Sequence, residues 1–124
     1  RDLAVSILDG ETLPVVEAVP MEEEFYDFEA RYEIGRTRFV CPAELPDDVT
    51  SQAQEIALRV WDVLGCRGFA RVDLMLCERT GALAVLEANA IPGMTETSLL
   101  PMAAEAAGID FDALIESIVR LAHL

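Results

Sequence analysis

Glu87 and Asn89 stand two residues apart near the end of an apolar stretch, residues 82–89, and the chain breaks straight afterwards at Pro92-Gly93. Arg71 and Asp73 are likewise two apart, in the alternating stretch 68–77. In a strand, residues i and i+2 share a face, so each pair points one way. The connection Glu78-Arg79-Thr80-Gly81-Ala82 suits a three-residue hairpin loop, with Gly81 free to take φ > 0. A turn centred on Thr80 sets Asp73 opposite Glu87 and Arg71 opposite Asn89. One sheet face then carries Arg71, Asp73, Glu87 and Asn89, with Met75 and Val85 as apolar neighbours.

Two carboxylates in cross-strand contact repel unless a cation lies between them. An Asp, a Glu able to bind through both oxygens and an Asn carbonyl are hard oxygen ligands. They suit Mg²⁺, which commonly completes its shell with substrate phosphates. Arg71 cannot ligate a metal, but it can meet a phosphate or an anionic intermediate on the same face. The plain alternative is a solvated ladder in which Arg71 pairs with Asp73 or Glu87. The apolar neighbours, and the strand break that exposes backbone N–H groups near the acids, favour the chemical use.

Beyond the break, Ser98 stands where a helix N-cap is expected, with Leu99-Leu100-Pro101 as the first turn. Proline is tolerated there because early helical nitrogens have no intrahelical partner. The free N–H of Leu99 and the positive helix start form a carboxylate site to which the Ser98 hydroxyl adds a donor. The competing expectation is an ordinary cap whose oxygen accepts from its own helix.

These residues need a scaffold. Residues 3–9 and 13–19 are short apolar runs around Asp9-Gly10, which predicts an antiparallel hairpin. The polar, aromatic segment 21–38 is expected to be a long loop and candidate mobile element, followed by a short strand over 37–42. Apolar spacing predicts helices over 49–64, with Asp47 and Asp48 as caps and Gly65 as its stop, over 99–107, and over 111–122 after a cap at Asp110. The fold class is α+β: a mostly antiparallel sheet with flanking helices.

Composition narrows the chemistry. The 124 residues suffice for one domain, 1–124, with its own core, and the formal net charge of −14 argues against nucleic-acid and acidic-membrane partners. All nine basic residues are arginine, which excludes a Schiff-base or Walker-A lysine. His123, the single histidine, sits at the C-terminal end, so no His-based triad or His-rich metal site is available in this chain. Cys41, Cys66 and Cys77 are odd in number and widely spaced, which points to a reducing, cytoplasmic setting. The chain opens on Arg1-Asp2-Leu3, already strand-like, and reads as a piece of a longer protein.

The run "RVDLML…VLEANAIPGMTETSLLPMAAEAAG" resembles the C-terminal end of the D-alanine–D-alanine ligases, enzymes of the ATP-grasp superfamily. "FYDFEARY" and "VCPA" are similar to that family's mobile-loop region, in the same order, and the resemblance runs from Asp2 to about Leu121. It implies the C-terminal half of an ATP-grasp domain that uses ATP to join two D-alanines through an acyl phosphate, for peptidoglycan precursors of the cell wall. It implies that Asp73, Glu87 and Asn89 hold two Mg²⁺ ions, or Mn²⁺ in their place, and that Arg71 stabilises the acyl phosphate and tetrahedral intermediate. Gly93 would offer its N–H near the reacting centre, and Ser98 and Leu99 would hold the acceptor's carboxylate. Asp2 falls where the family has a glutamate on the ATP ribose, Met75 and Leu86 fall beside the adenine, and Tyr32 matches the closing-loop tyrosine.

There are departures. Arg31 stands where many members have a lysine near the γ-phosphate, which changes reach and fork geometry. The Arg71 hairpin is one residue longer than in some members. The N-terminal and central parts of the family, with the phosphate-covering lysines and the adenine hinge, are not among these residues, so the chain alone is expected to be inactive and to depend on that half, in an enzyme that could be a homodimer. Two other readings stay open: a D-alanine–D-lactate or other carboxylate–amine ligase, and a non-catalytic acidic module that binds a cation or a partner.

Overall fold

The computed structural model describes residues 1–20 and 37–122. Six strands form one sheet: β1 (Asp2–Leu8), β2 (Glu11–Thr12), β3 (Val16–Pro20), β4 (Thr37–Val40), β5 (Phe69–Leu76) and β6 (Leu83–Asn89). The helices are α1 (Asp47–Leu64), α2 (Leu99–Ala106) and α3 (Phe111–Leu121). The strand order is β4-β3-β1-β5-β6, with β2 paired to β1, and every pairing is antiparallel.

The central pair β1–β5 sorts side chains to two layers. Leu3, Val5 and Ile7 of β1 join Val72, Leu74 and Leu76 of β5 on the face covered by Ala53 and Ala57 of α1. The opposite face carries Ala4 and Val16 against Leu100, Ala103 and Ala104 of α2 and Leu114 of α3. In register, Asp2, Ala4 and Ser6 lie beside Met75, Asp73 and Arg71, so the chemistry-bearing residues of β5 share the α2/α3 side. Ser6 is buried there with no hydrogen-bond partner for its Oγ among the described residues.

Local rules account for most boundaries. Asp9 and Gly10 both take positive φ, 53° and 78°, as a two-residue hairpin turn demands. Gly65 ends α1 in the left-handed conformation, and Asp110 caps α3 by accepting the Ala113 N–H at 2.8 Å. The cap expected for α1 is different. Pro46 occupies the N-cap position, and Asp47 and Asp48 lie inside the first turn, where their charge faces the positive helix end. Of the expected loop 21–38, Thr37 and Arg38 already belong to β4; residues 21–36, including Arg31 and Tyr32, lie outside the described residues.

Candidate functional site

The hairpin β5–β6 pairs Arg71 with Asn89 and Asp73 with Glu87, as expected, but by a different route. Next to the turn the register is Leu76–Leu83, Met75–Ala84 and Leu74–Val85, and it shifts between Leu74 and Asp73. Leu86 is the extra residue of a β-bulge. Val85 therefore shares the α1 face with Leu74 rather than the face of Glu87, and this corrects the strict alternation expected for β6. Leu86 takes its place and lines a cavity of about 210 Å³ with Asp2, Val16, Ala18, Asp73 and Leu99.

On that face the polar groups interlock. Arg71 donates from Nε and Nη2 to Asp73 Oδ1 and Oδ2, at 2.8 and 3.1 Å. Asn89 donates from Nδ2 to Asp73 Oδ2 at 3.1 Å and to Glu87 Oε1 at 3.2 Å. The pairing of Arg71 with Asp73 that a plain ladder would show is thus present, but the ladder is not a solvated one, since the two side chains are only 18% and 20% exposed. Glu87, on the edge strand, is exposed.

The donor chemistry fits a divalent cation. Two carboxylate oxygens from opposite strands converge on one atom, so a point within reach of both exists. The third side chain, an amide, presents either a donor or an acceptor there by rotation about its last bond. Two carboxylates against one guanidinium leave the cluster with one excess negative charge. Among the described residues no three or more His, Cys, Asp or Glu side chains are grouped so as to hold a metal ion, so Asp73 and Glu87 are the two carboxylates available at this point. Asp73, Glu87 and the Asn89 amide oxygen could supply oxygen ligands to a divalent cation, the donor type that Mg²⁺ prefers.

Asp2 lies opposite Met75 in register, and Met75 is 37% exposed. Asp2 and Leu86 meet across the cavity, whereas Met75 stands outside its lining. Ser98 is the N-cap of α2, with extended backbone and no side-chain bond to its own helix. The first intrahelical bond runs from Met102 N–H to Ser98 C=O at 3.1 Å, which leaves the N–H of Leu99 free of it. The Ser98 hydroxyl instead accepts the Thr95 N–H at 3.1 Å and lies 2.7 Å from Thr95 Oγ1. Gly93 sits against it: a Cβ at 93 would stand 3.0 Å from Ser98 Oγ. The arrangement thus brings together Arg71, Asp73, Glu87 and Asn89, and separately Gly93, Ser98 and Leu99, with Leu99 and Asp73 lining the one cavity.

Sequence reasoning did not assign Thr95 a role; the signal available was the hydroxyl run Thr95-x-Thr97-Ser98 before an apolar helix. It also did not foresee the ion pair in which Arg1 Nε and Nη2 each bond the buried Glu17 carboxylate at 2.7 Å. That bonding holds the Glu17 carboxyl below its ordinary range and raises the Arg1 guanidinium further.

A crystal structure of D-alanine–D-alanine ligase from Bacillus anthracis complexed with ATP superposes with a TM-score of 0.80 at 35% identity, over 97% of this chain and 38% of that one. A second crystal structure of the same organism's ligase matches with a TM-score of 0.77. The class is therefore α+β, the C-terminal half of an ATP-grasp domain. The family model described as the C-terminus of D-ala D-ala ligase matches residues 1–120, and the chain belongs to that family. D-alanine–D-alanine ligases from Methylacidiphilum infernorum and Syntrophotalea carbinolica are 49% and 46% identical, over 100% and 99% of this chain. The chain spans 40% and 39% of the length of these two relatives.

Proposed function

We propose that the chain is the C-terminal catalytic portion of an ATP-dependent D-alanine–D-alanine ligase and works together with the N-terminal and central parts of such an enzyme. The observation that carries this is the convergence of Asp73 Oδ2 and Glu87 Oε1 on one point beside Arg71, in a member of this family.

The reaction has two steps. The carboxylate of one D-alanine takes the γ-phosphoryl group of ATP and ADP leaves. The amine of a second D-alanine then attacks the acyl carbon, and phosphate departs. Asp73, Glu87 and Asn89 would hold Mg²⁺, two ions by the resemblance, which when bound neutralises phosphate charge. Arg71 uses Nε and Nη2 on Asp73 and keeps Nη1 for the anionic acyl phosphate and tetrahedral oxygen. By the resemblance, the Gly93 N–H would be offered near the reacting centre, with no Cβ to block approach. Ser98 Oγ and the Leu99 N–H hold the acceptor's carboxylate at the positive start of α2. Asp2 would bond the ATP ribose, and Leu86 and Met75 would flank the adenine. Most of the rate comes from placing charges and partners rather than from covalent chemistry by the protein.

The setting we propose is cytoplasmic, supported by the three free thiols Cys41, Cys66 and Cys77. Among the described residues no helix is long and apolar enough to cross a membrane.

The test is the complete enzyme supplied with ATP, Mg²⁺ and D-alanine. Dipeptide and phosphate should form in equal amounts, and Glu87→Gln should lower kcat by about 10²–10³, the size of loss seen when one charge-stabilising group is removed. Absence of dipeptide with the wild-type enzyme, or full activity of Glu87→Gln, overturns the proposal.

A further inference from the structure

Ser98 is a hydroxyl that can donate or accept, yet a carboxylate needs a donor. The structure shows what removes the ambiguity. Ser98 Oγ accepts the Thr95 backbone N–H at 3.1 Å and lies 2.7 Å from Thr95 Oγ1. Thr95 Oγ1 in turn lies 3.4 Å from Thr97 Oγ1. A hydroxyl oxygen has one proton and two lone pairs. If the chain of hydroxyls runs from Thr97 to Thr95 to Ser98, both lone pairs of Ser98 are filled, one by the Thr95 N–H and one by the Thr95 O–H. Its proton is then its sole remaining hydrogen-bonding capacity. If the chain runs the other way, that proton is spent on Thr95.

The surroundings choose between the two. Ser98 opens α2, an eight-residue helix whose first N–H groups give the site partial positive charge. A negative ligand there favours the orientation that aims the Ser98 proton at it. The side chain does not cap its own helix, so no intrahelical N–H competes for its oxygen. Gly93 supplies the space, because a Cβ there would stand 3.0 Å from Ser98 Oγ and displace it.

We propose that Thr95 is a positioning residue for the acceptor subsite: its N–H and O–H together occupy the Ser98 oxygen and make Ser98 a dedicated donor, which selects an acceptor bearing a carboxylate. This rests on the reading of Ser98 as the acceptor's carboxylate donor. Thr95 itself touches no substrate. It is exposed, so replacing its side chain leaves the core intact.

The experiment compares Thr95→Val, Thr95→Ser, Ser98→Ala and the double variant Thr95→Val/Ser98→Ala in the complete enzyme, with D-alanine and its neutral amide as acceptors. Thr95→Val should raise the KM for acceptor D-alanine by about tenfold, roughly the loss of one charge-assisted hydrogen bond, and should narrow the preference for D-alanine over the amide by a similar factor. The KM for ATP should stay near wild type, and Thr95→Ser, which keeps the hydroxyl, should restore the acceptor KM. The double variant should be no worse than Ser98→Ala, because Thr95 acts through Ser98. If Ser98→Ala raises the acceptor KM while Thr95→Val does not, the relay is overturned and the acceptor site stands. If Thr95→Ser is as impaired as Thr95→Val, or both substrates weaken together, Thr95 is only a loop residue. If Ser98→Ala leaves the acceptor KM unchanged, the acceptor-site reading itself falls.

Discussion

Asp73 and Glu87 face each other across β5 and β6, and both reach the same atom, Asn89 Nδ2, at 3.1 and 3.2 Å. Two like charges are thus held around one shared donor, at the spot where a divalent cation would bring them together.

Removing that donor separates a chemical role from a structural one. Asn89→Ala in the complete enzyme should lower phosphoryl transfer on the order of 10–100-fold, the usual cost of losing an oriented metal-site partner. Thermal stability should change little, because Asn89 is only partly buried at the end of an edge strand. Kinetics and melting on the same preparation decide: a lowered melting point with intact activity would make Asn89 a structural residue.

Gly93 is needed for room. Its φ is not in the left-handed region, so alanine is conformationally acceptable, but the added Cβ would press on Ser98 Oγ at 3.0 Å. Gly93→Ala should fold normally, raise the acceptor KM severalfold and spare ATP binding. Steady-state kinetics with each substrate varied in turn checks this, and an unchanged acceptor KM would show that Ser98 is not held where we place it.

The Arg1–Glu17 pair links stability to acid. Hydrogen bonding from Arg1 depresses the Glu17 carboxyl in the folded state below its ordinary 4.5. A depressed folded value means stability that is present above the unfolded value and lost as pH falls through the folded one. Glu17→Gln should therefore cost about 1–3 kcal/mol near neutral pH, and the gap to wild type should narrow as pH falls below the ordinary 4.5 and close only below the depressed folded value. Urea unfolding of the two proteins across that range measures it; a gap independent of pH would mean that packing, and not charge, is lost.

Cys77 and Cys41 should differ in reactivity. Hydrogen bonds from the Thr80 side chain, then from the Thr80 and Arg79 backbone, pull the exposed Cys77 thiol down. Burial pushes Cys41 up. Alkylation near neutral pH, followed by peptide mass mapping, should label Cys77 well before Cys41, and Thr80→Val should slow Cys77. Equal rates would contradict the local hydrogen bonding.

The 124-residue chain by itself should bind Mg-ATP weakly. It carries no lysine, and it spans about 40% of its relatives' length. Titration calorimetry at micromolar protein and nucleotide should show no binding heat, and a micromolar affinity would mean that these residues suffice to hold the nucleotide.

Sequence alone determined which residues share a strand, because the side-chain period of two puts Arg71 with Asp73 and Glu87 with Asn89 whatever the rest of the fold does. It determined the Asp9-Gly10 turn, the Asp110 cap and the Gly65 stop, since each depends on the backbone freedom or hydrogen bonding of one residue with its close neighbours. It also carried the family, through a motif long enough to be specific. Only the tertiary structure decided that Leu86, and not Val85, joins the site face. A bulge is a compromise between the turn's register and packing on both sheet faces, and no local pattern states where the extra residue falls. The same holds for Glu17, whose partner Arg1 comes from a neighbouring strand's edge. Thr95 lay in plain view in a hydroxyl run. Its contact with Ser98 exists because the chain between them folds back in a turn, with Ser98 N–H bonded to Thr95 C=O at 3.0 Å, and where a hydroxyl's two lone pairs point is a property of that turn in space rather than of its letters.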